Sequence, residues 1–149
     1  MAISPTDLTQ RPPRSARTRL GGYAILPRMI DKCRAILAGT GGEFHYNCPL
    51  DQHFISFVGL DPEAFKAEVA KGSGDGELLA WIQENVKIKR APYEIVAWTQ
   101  YQENRIPTDS ESRKFYDKWQ SEIAPQRADI GTWFDLLDLD DHVSFGGKV

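Results

Sequence analysis

Apolar residues recur three or four positions apart over most of the chain after residue 25, which is the spacing of one face of an α-helix. A clear example begins at Leu26 and continues through Met29, Ile30 and Cys33. No run of alternating apolar and polar residues is long enough for a β-sheet. The pattern predicts an all-α protein, formed by a single compact domain of about six or seven short helices.

Proline and glycine positions predict where these helices begin and end, because proline suits a first helical turn and glycine suits a helix end. On this basis we expect helices over residues 26–38, 49–58, 62–71, 77–85 and 93–105. The run Thr108-Asp109-Ser110-Glu111 predicts a capping box for a sixth helix, and Asp129 is expected to cap a seventh. Residues 43–47 are expected to form a short extended, strand-like link.

The first 22 residues contain few apolar side chains and several prolines and glycines, which is typical of an extended arm. We therefore divide the chain into an extended basic arm, residues 1–22, and a helical domain, residues 23–149. Because the part of the arm before Arg17 has little apolar surface to bury, we expect it to be mobile or to be held only by partner contacts.

Charge is distributed unevenly along the chain. Residues 1–34 carry seven Arg or Lys against two Asp, whereas residues 129–149 carry five Asp against one Lys. We expect the arm to pack on the acidic surface of the same molecule or of a second copy, and the second case would give self-association through the arm. The alternative use of its arginines is contact with nucleic-acid phosphates, which the acidic remainder of the chain disfavours.

Composition places the chain among soluble globular proteins. Of its 149 residues, 41% are hydrophobic and 26% are charged, and the net charge is -3. No apolar run approaches the roughly 20 residues needed to cross a membrane, and the N-terminus lacks the features of a signal peptide. Two cysteines are too few for a disulfide framework. The simplest interpretation is a cytoplasmic protein with reduced thiols and no membrane partner.

Several short runs combine glycine, proline and charged residues in a fixed order. They are Arg19-Leu20-Gly21-Gly22-Tyr23, Leu26-Pro27-Arg28-Met29-Ile30-Asp31-Lys32, Tyr46-Asn47-Cys48-Pro49-Leu50-Asp51 and Thr132-Trp133-Phe134-Asp135-Leu136-Leu137-Asp138. Together they resemble a bacterial domain-of-unknown-function family, number 5069, over nearly the whole chain and most densely from Arg17 to Trp81. The resemblance implies a bacterial cytoplasmic protein, and it transfers no activity, cofactor or catalytic residue.

Four residues of types that bind metals or take part in catalysis lie close together in the sequence: His45, Cys48, Asp51 and His53. A metal site would need a second closely spaced ligand pair, which the chain lacks, so we predict no metal and no cofactor. Cys48 as a nucleophile beside the two histidines is an alternative. We favour an architectural joint over residues 43–53, in which Asn47 and Asp51 cap exposed helix N–H groups.

Two hypotheses of function follow from these patterns. The first is a small all-α binding or interaction module without catalysis, which is favoured because no catalytic constellation has diagnostic spacing. The second is a small enzyme or ligand-binding protein with a polar site near the glycine-rich link at residues 39–42. The residues that would form this site are Arg17, Arg19, His45, Cys48, Asp51 and His53. Whether the protein is an enzyme, and which ligand or partner it binds, stays open at this point.

Overall fold

The computed structural model describes residues 4–149 and contains seven α-helices in that range. In chain order they are α1 (Leu26–Leu37), α2 (Pro49–Val58), α3 (Pro62–Val69), α4 (Asp75–Asn85), α5 (Pro92–Asn104), α6 (Ser110–Ile123) and α7 (Trp133–Ser144). The part of the chain that is described holds no β-strand, only an isolated bridge between Leu20 and Tyr23. The predicted all-α fold is therefore confirmed, and residues 43–47 form turns where a strand-like link was expected.

The helix starts that were predicted from proline positions are confirmed, whereas two predicted N-caps are wrong. α2 begins and ends as predicted. The N-cap of α6 is Asp109, whose carboxylate accepts the backbone N–H of Ser112 at 2.7 Å, so the capping box starting at Thr108 does not form. α7 is capped by Thr132, because Thr132 and Asp135 hydrogen-bond reciprocally. Asp129, the predicted cap, instead pairs with Arg127.

α1 runs through the hydrophobic core. Leu26, Met29, Ile30 and Cys33 are completely buried, and the helix contacts both α2 and α3. The same helix also buries three charged side chains, Arg28, Asp31 and Lys32. Buried charges are costly unless they are paired, so these residues need partners from neighbouring elements.

The arm packs on its own chain. Leu8 and Ala16 are each only 1% exposed, and their backbones bond to the helical domain: Leu8 N–H to the Thr40 carbonyl at 2.9 Å, and Ile25 N–H to the Ala16 carbonyl at 2.8 Å. The expectation that the arm has little apolar surface to bury is therefore wrong for Leu8 and Ala16. Spacing did not reveal these two residues because neither belongs to a periodic run.

Ion pairs fasten the arm to acidic residues of four helices, α1, α4, α5 and α7. Arg14 pairs with Asp31 of α1 at 3.0 Å and with Asp75 of α4 at 2.7 Å. Arg17 pairs with Asp138 of α7 at 3.0 Å and also contacts Asp135. Of the two predicted arrangements of the arm, the structure shows the one in which it lies on the acidic surface of the same molecule.

Within residues 4–149, no helix is both long enough and apolar enough to span a bilayer.

Candidate functional site

A cavity of about 660 Å³ opens where the arm, α1, α7 and the loop before α2 meet. Most of its wall is apolar and aromatic, and eight polar or charged side chains interrupt that wall. The apolar side chains are those of Leu8, Phe44, Leu50, Trp119, Leu137 and Phe145. The polar side chains are those of Thr9, Arg28, Lys32, Glu43, His45, Cys48, Asp140 and Ser144. A cavity of this size and character is typical of small-molecule sites.

Arg28 supplies the first of two buried cations at the wall. It is 3% exposed and forms a bidentate ion pair with Asp141 of α7, with N···O distances of 2.7 and 3.2 Å. It also donates a hydrogen bond to the Arg14 carbonyl of the arm at 3.3 Å. The guanidinium lies 5.5 Å from the centre of the Phe44 ring, within cation–π range. Arg28 therefore joins three elements that surround the cavity.

Lys32 supplies the second cation, four residues later on the same helix face. It is also 3% exposed, and its Nζ donates to Asp51 Oδ1 at 2.8 Å and to Cys48 Sγ at 3.2 Å. Asp51 is fully buried, and its other carboxylate oxygen accepts the Asn47 N–H at 2.9 Å. The carboxylate thus fixes both the ammonium group and the loop that carries Cys48.

This use of Asp51 overturns the predicted role of the loop's polar residues. In the described structure no side chain caps α2, because the Asp51 carboxylate is engaged by Lys32 and by the preceding loop. Asn47 adopts a left-handed conformation with φ of 60°, which asparagine tolerates better than most residues. The prediction that Asn47 and Asp51 cap helix N–H groups is therefore wrong.

Asp140 brings a carboxyl group to the opposite wall. Burial raises the pKa of Asp140, and the neighbouring Asp141 charge adds to the rise. Hydrogen bonding with Trp119 and Ser144 and the positive charge of Arg28 act against this rise in pKa. The cavity therefore holds two fixed cations near a carboxyl group that is more readily protonated than an exposed one.

The six residues singled out in the sequence fall into two groups. His45 and Cys48 line the cavity, and Asp51 lies directly behind Lys32. The other three, Arg17, Arg19 and His53, do not line the cavity. Arg17 pairs with acids of α7, as described above, and Arg19 pairs with Glu103 at 2.8 Å.

His53 contacts a different part of the molecule. Its Nδ1 lies 3.3 Å from the amide nitrogen of Gln102 on α5. Burial and the charge of Arg105 lower the pKa of His53 below its usual value. This environment favours a neutral imidazole that has a structural contact with α5.

Sequence reasoning missed Arg28, Lys32, Trp119 and Asp140. In the sequence, Arg28 and Lys32 counted toward the positive charge of residues 1–34 and belonged to a run that resembles the family, but they were assigned to no site. Their signal was available, because two cations stand four residues apart within a helix whose other positions are largely apolar. Such a pair on a buried helix face requires partners or a ligand.

The two thiols have different environments, and both are free. Cys33 is fully buried, and burial raises the pKa of Cys33 to about 12. Cys48 is partly exposed and lines the cavity. Within residues 4–149, no group of three or more His, Cys, Asp or Glu side chains is arranged to hold a metal ion.

Fold and cavity define a small all-α protein with two buried cations beside an apolar cavity. The chain belongs to the family described as Domain of unknown function (DUF5069), whose model matches residues 10–143. This match confirms the family resemblance of the sequence, and the matched range includes every charged residue of the cavity wall. A comparison with curated proteins found no match.

Proposed function

We propose that this protein is a binding module whose cavity takes a small organic monocarboxylate with an apolar body. The observation that carries the proposal is the placement of Arg28 and Lys32, two buried cations on one face of α1, at the wall of a largely apolar cavity. Charge-assisted hydrogen bonds from Arg and Lys are the usual means of holding a carboxylate. The apolar wall matches the body of such a ligand.

Both cations retain hydrogen-bonding capacity. A guanidinium has five N–H groups and an ammonium has three. Among the described residues, Arg28 makes three hydrogen bonds and Lys32 makes two. One N–H of Lys32 and two of Arg28 therefore remain to bind a ligand oxygen.

The charge balance favours one negative charge on the ligand. Asp141 and Asp51 already pair with Arg28 and Lys32, and the wall itself carries two further carboxyl groups, those of Asp140 and Glu43. A dianion such as a phosphate monoester would face these carboxylates without an additional cation. A monocarboxylate meets the available donors with less repulsion.

The apolar wall fits a ligand of several carbons. Phe44 and Phe145 stack with ring centres 6.4 Å apart, and Leu50, Leu137 and Trp119 also line the cavity. Each methylene group removed from water contributes about 0.8 kcal/mol. A six-carbon chain therefore offers enough apolar area to distinguish this site from a surface ion pair.

Of the six residues selected from the sequence, we include His45, Cys48 and Asp51 in this site. We further propose a bacterial cytoplasmic location, which the family resemblance and the two free thiols support.

Nucleic acid is an unfavourable partner, because Arg14, Arg17 and Arg19 already pair with carboxylates of this chain. Self-association through the arm would rely on Arg11, which is exposed. We also propose that the chain is organised as the arm, residues 1–22, and the helical domain, residues 23–149.

Isothermal titration calorimetry with hexanoate, hexanamide and hexyl phosphate tests the proposed ligand class. We expect hexanoate to bind the wild-type chain at least about tenfold more tightly than its neutral amide, a difference of about 1.4 kcal/mol. The phosphate should also bind more weakly than hexanoate. Equal affinity for hexanoate and hexanamide, or no binding of hexanoate, would contradict the proposal.

Two matched leucine variants locate the binding. Leu137→Trp places a larger side chain in the cavity and should abolish hexanoate binding. Leu37→Trp makes the same change at an exposed position outside the cavity wall and should bind like the wild type. Binding that survives in Leu137→Trp would place the hexanoate elsewhere.

A further inference from the structure

Cys48 differs from Cys33 in its exposure and in its contacts. Cys48 lines the 660 Å³ cavity and its sulfur contacts the Lys32 ammonium at 3.2 Å, whereas Cys33 is fully buried. Although Cys48 occupies the N-cap position of α2, its side chain makes no capping hydrogen bond there. The sulfur instead contacts Lys32, which is itself a residue of the cavity wall.

A buried ion pair holds the cation against the sulfur. Lys32 Nζ bridges Asp51 Oδ1 and Cys48 Sγ, and Asp51 is in turn fixed by the Asn47 N–H. The thiolate is the nucleophilic form of cysteine, and the contact places the Lys32 ammonium 3.2 Å from the Cys48 sulfur. The cavity provides the second requirement of a nucleophilic site, which is space for a reacting molecule beside the sulfur.

We propose that Cys48 is a nucleophile that forms a thioether with a short carboxylate bearing a leaving group on the carbon next to its carboxyl group. This inference rests on the proposed function, because the carboxylate is held by Lys32 and Arg28. A carboxylate on Lys32 Nζ brings its neighbouring carbon close to the sulfur, since Nζ and Sγ are themselves in contact. Such positioning converts a bimolecular alkylation into a reaction within a complex.

The step needs no oxidant or reductant. The Cys48 thiolate attacks the carbon that carries the leaving group, and a sulfur–carbon bond forms as the bond to the leaving group breaks. The leaving group departs with the electron pair of that bond. The thiol proton passes to solvent, and the carboxylate keeps its charge and its contact with the cations.

Iodoacetate and iodoacetamide are a matched pair of probes, because they deliver the same carbon to sulfur with and without a carboxylate. The full wild-type chain is treated with each probe, and alkylation of each cysteine is followed by peptide mass spectrometry. At Cys48 we expect the ratio of the iodoacetate rate to the iodoacetamide rate to exceed that of free N-acetylcysteine by at least about tenfold. The iodoacetate rate should also saturate with concentration.

Cys33 is the internal control in the same experiment, because a folded chain should leave it unmodified. A rate ratio equal to that of N-acetylcysteine, with no saturation, would overturn the proposal. So would equal alkylation of Cys33 and Cys48 in a chain whose circular dichroism shows it to be folded.

The role of Lys32 is tested with the double variant Lys32→Met/Asp51→Asn, which removes the ion pair without leaving either charge buried alone. It should lose the preference for iodoacetate, whereas Lys71→Met, at an exposed lysine, should keep it. If the double variant does not fold, the wild-type chain provides a second test, which is the rate of Cys48 alkylation by iodoacetamide with and without hexanoate. Hexanoate should slow this alkylation, because the carboxylate and the sulfur share one site in the proposal. Absence of that protection would contradict the proposal.

Hexanoate titration of the wild-type chain separates this inference from the proposed function. Hexanoate binding without selective alkylation of Cys48 would refute the nucleophile and leave the binding module intact. Absence of hexanoate binding would refute the binding module. Binding together with selective alkylation supports both proposals.

Discussion

Arg28 and Lys32 lie four residues apart on α1, and each forms an ion pair with a different element beside the same cavity. Arg28 is paired with Asp141 near the C-terminal end of the chain, and Lys32 with Asp51 at the start of α2. Two neighbouring positions on one helix therefore connect α1 to both α7 and α2. The ion pairs connect the helices that form the cavity wall, and both cations line the cavity.

Removing Arg28 should destabilise the fold strongly. Arg28→Met leaves Asp141, which is 7% exposed, without its cation, and breaking a buried pair costs about 3–5 kcal/mol. The double variant Arg28→Met/Asp141→Asn should recover most of that loss, because no buried charge is then unpaired. Urea denaturation measures both values. Equal destabilisation in the single and double variants would show that the unpaired Asp141 charge is not what destabilises Arg28→Met.

Asp51→Ala should cost more than His53→Ala. The first leaves the buried Lys32 ammonium unpaired and should cost about 3–5 kcal/mol. The second removes the contact with Gln102 at a partly exposed position and should cost about 1 kcal/mol. Urea denaturation of both variants at one pH provides the comparison. The reverse order would mean that Asp51 does not stabilise Lys32 as described.

The two cysteines should respond differently to replacement by serine. Cys33→Ser buries a hydroxyl group within an apolar region and should cost about 1–3 kcal/mol. Cys48→Ser should cost less than about 1 kcal/mol, because the new hydroxyl can accept the hydrogen bond from Lys32. Thermal or urea unfolding distinguishes the two variants, and similar losses would contradict the assigned environments.

Acidification should destabilise the protein through His53. Burial and Arg105 lower the pKa of His53 in the folded state below its usual 6.5, so the unfolded chain binds the proton more readily. The resulting loss of stability begins near pH 6.5 and grows until the pH falls below the folded pKa. His53→Gln should therefore show a smaller drop in Tm than wild type between pH 7.5 and pH 5.5.

The exposed residue His45 offers the matched control for that comparison. His45→Gln should keep the wild-type dependence of Tm on pH, because it leaves His53 unchanged. An identical pH dependence in wild type and His53→Gln would show that His53 does not titrate as described.

Anchoring of the arm can be measured through Leu8. Its N–H bonds to the Thr40 carbonyl and its side chain is 1% exposed, so hydrogen exchange at Leu8 should be slow in a dilute monomer. Leu8→Ala should cost about 2–5 kcal/mol, as large-to-small changes at buried sites do. Rapid exchange at Leu8 would instead support the mobile arm expected from the sequence.

The all-α fold could be predicted from the sequence because proline and glycine mark the ends of helices. The site could be predicted only in part, because its ion pairs join residues that are far apart in the sequence. α2 begins at Pro49 and ends before Gly59 as predicted, because proline and glycine act on the backbone at their own positions. The pairing of Arg28 with Asp141 spans 113 positions and leaves no periodic trace. His45 and Cys48 both line the cavity because they lie in one loop. Arg17 and Arg19 were assigned to the same site from their charge alone, and they do not line it.

A crystal structure of the wild-type chain with hexanoate tests the central claim most directly. We predict that the carboxylate lies within hydrogen-bonding distance of Lys32 Nζ and the Arg28 guanidinium, with the alkyl chain against Phe44 and Leu137. Hexanoate bound with its alkyl chain toward the two cations, or bound only outside this cavity, would contradict the proposed binding mode.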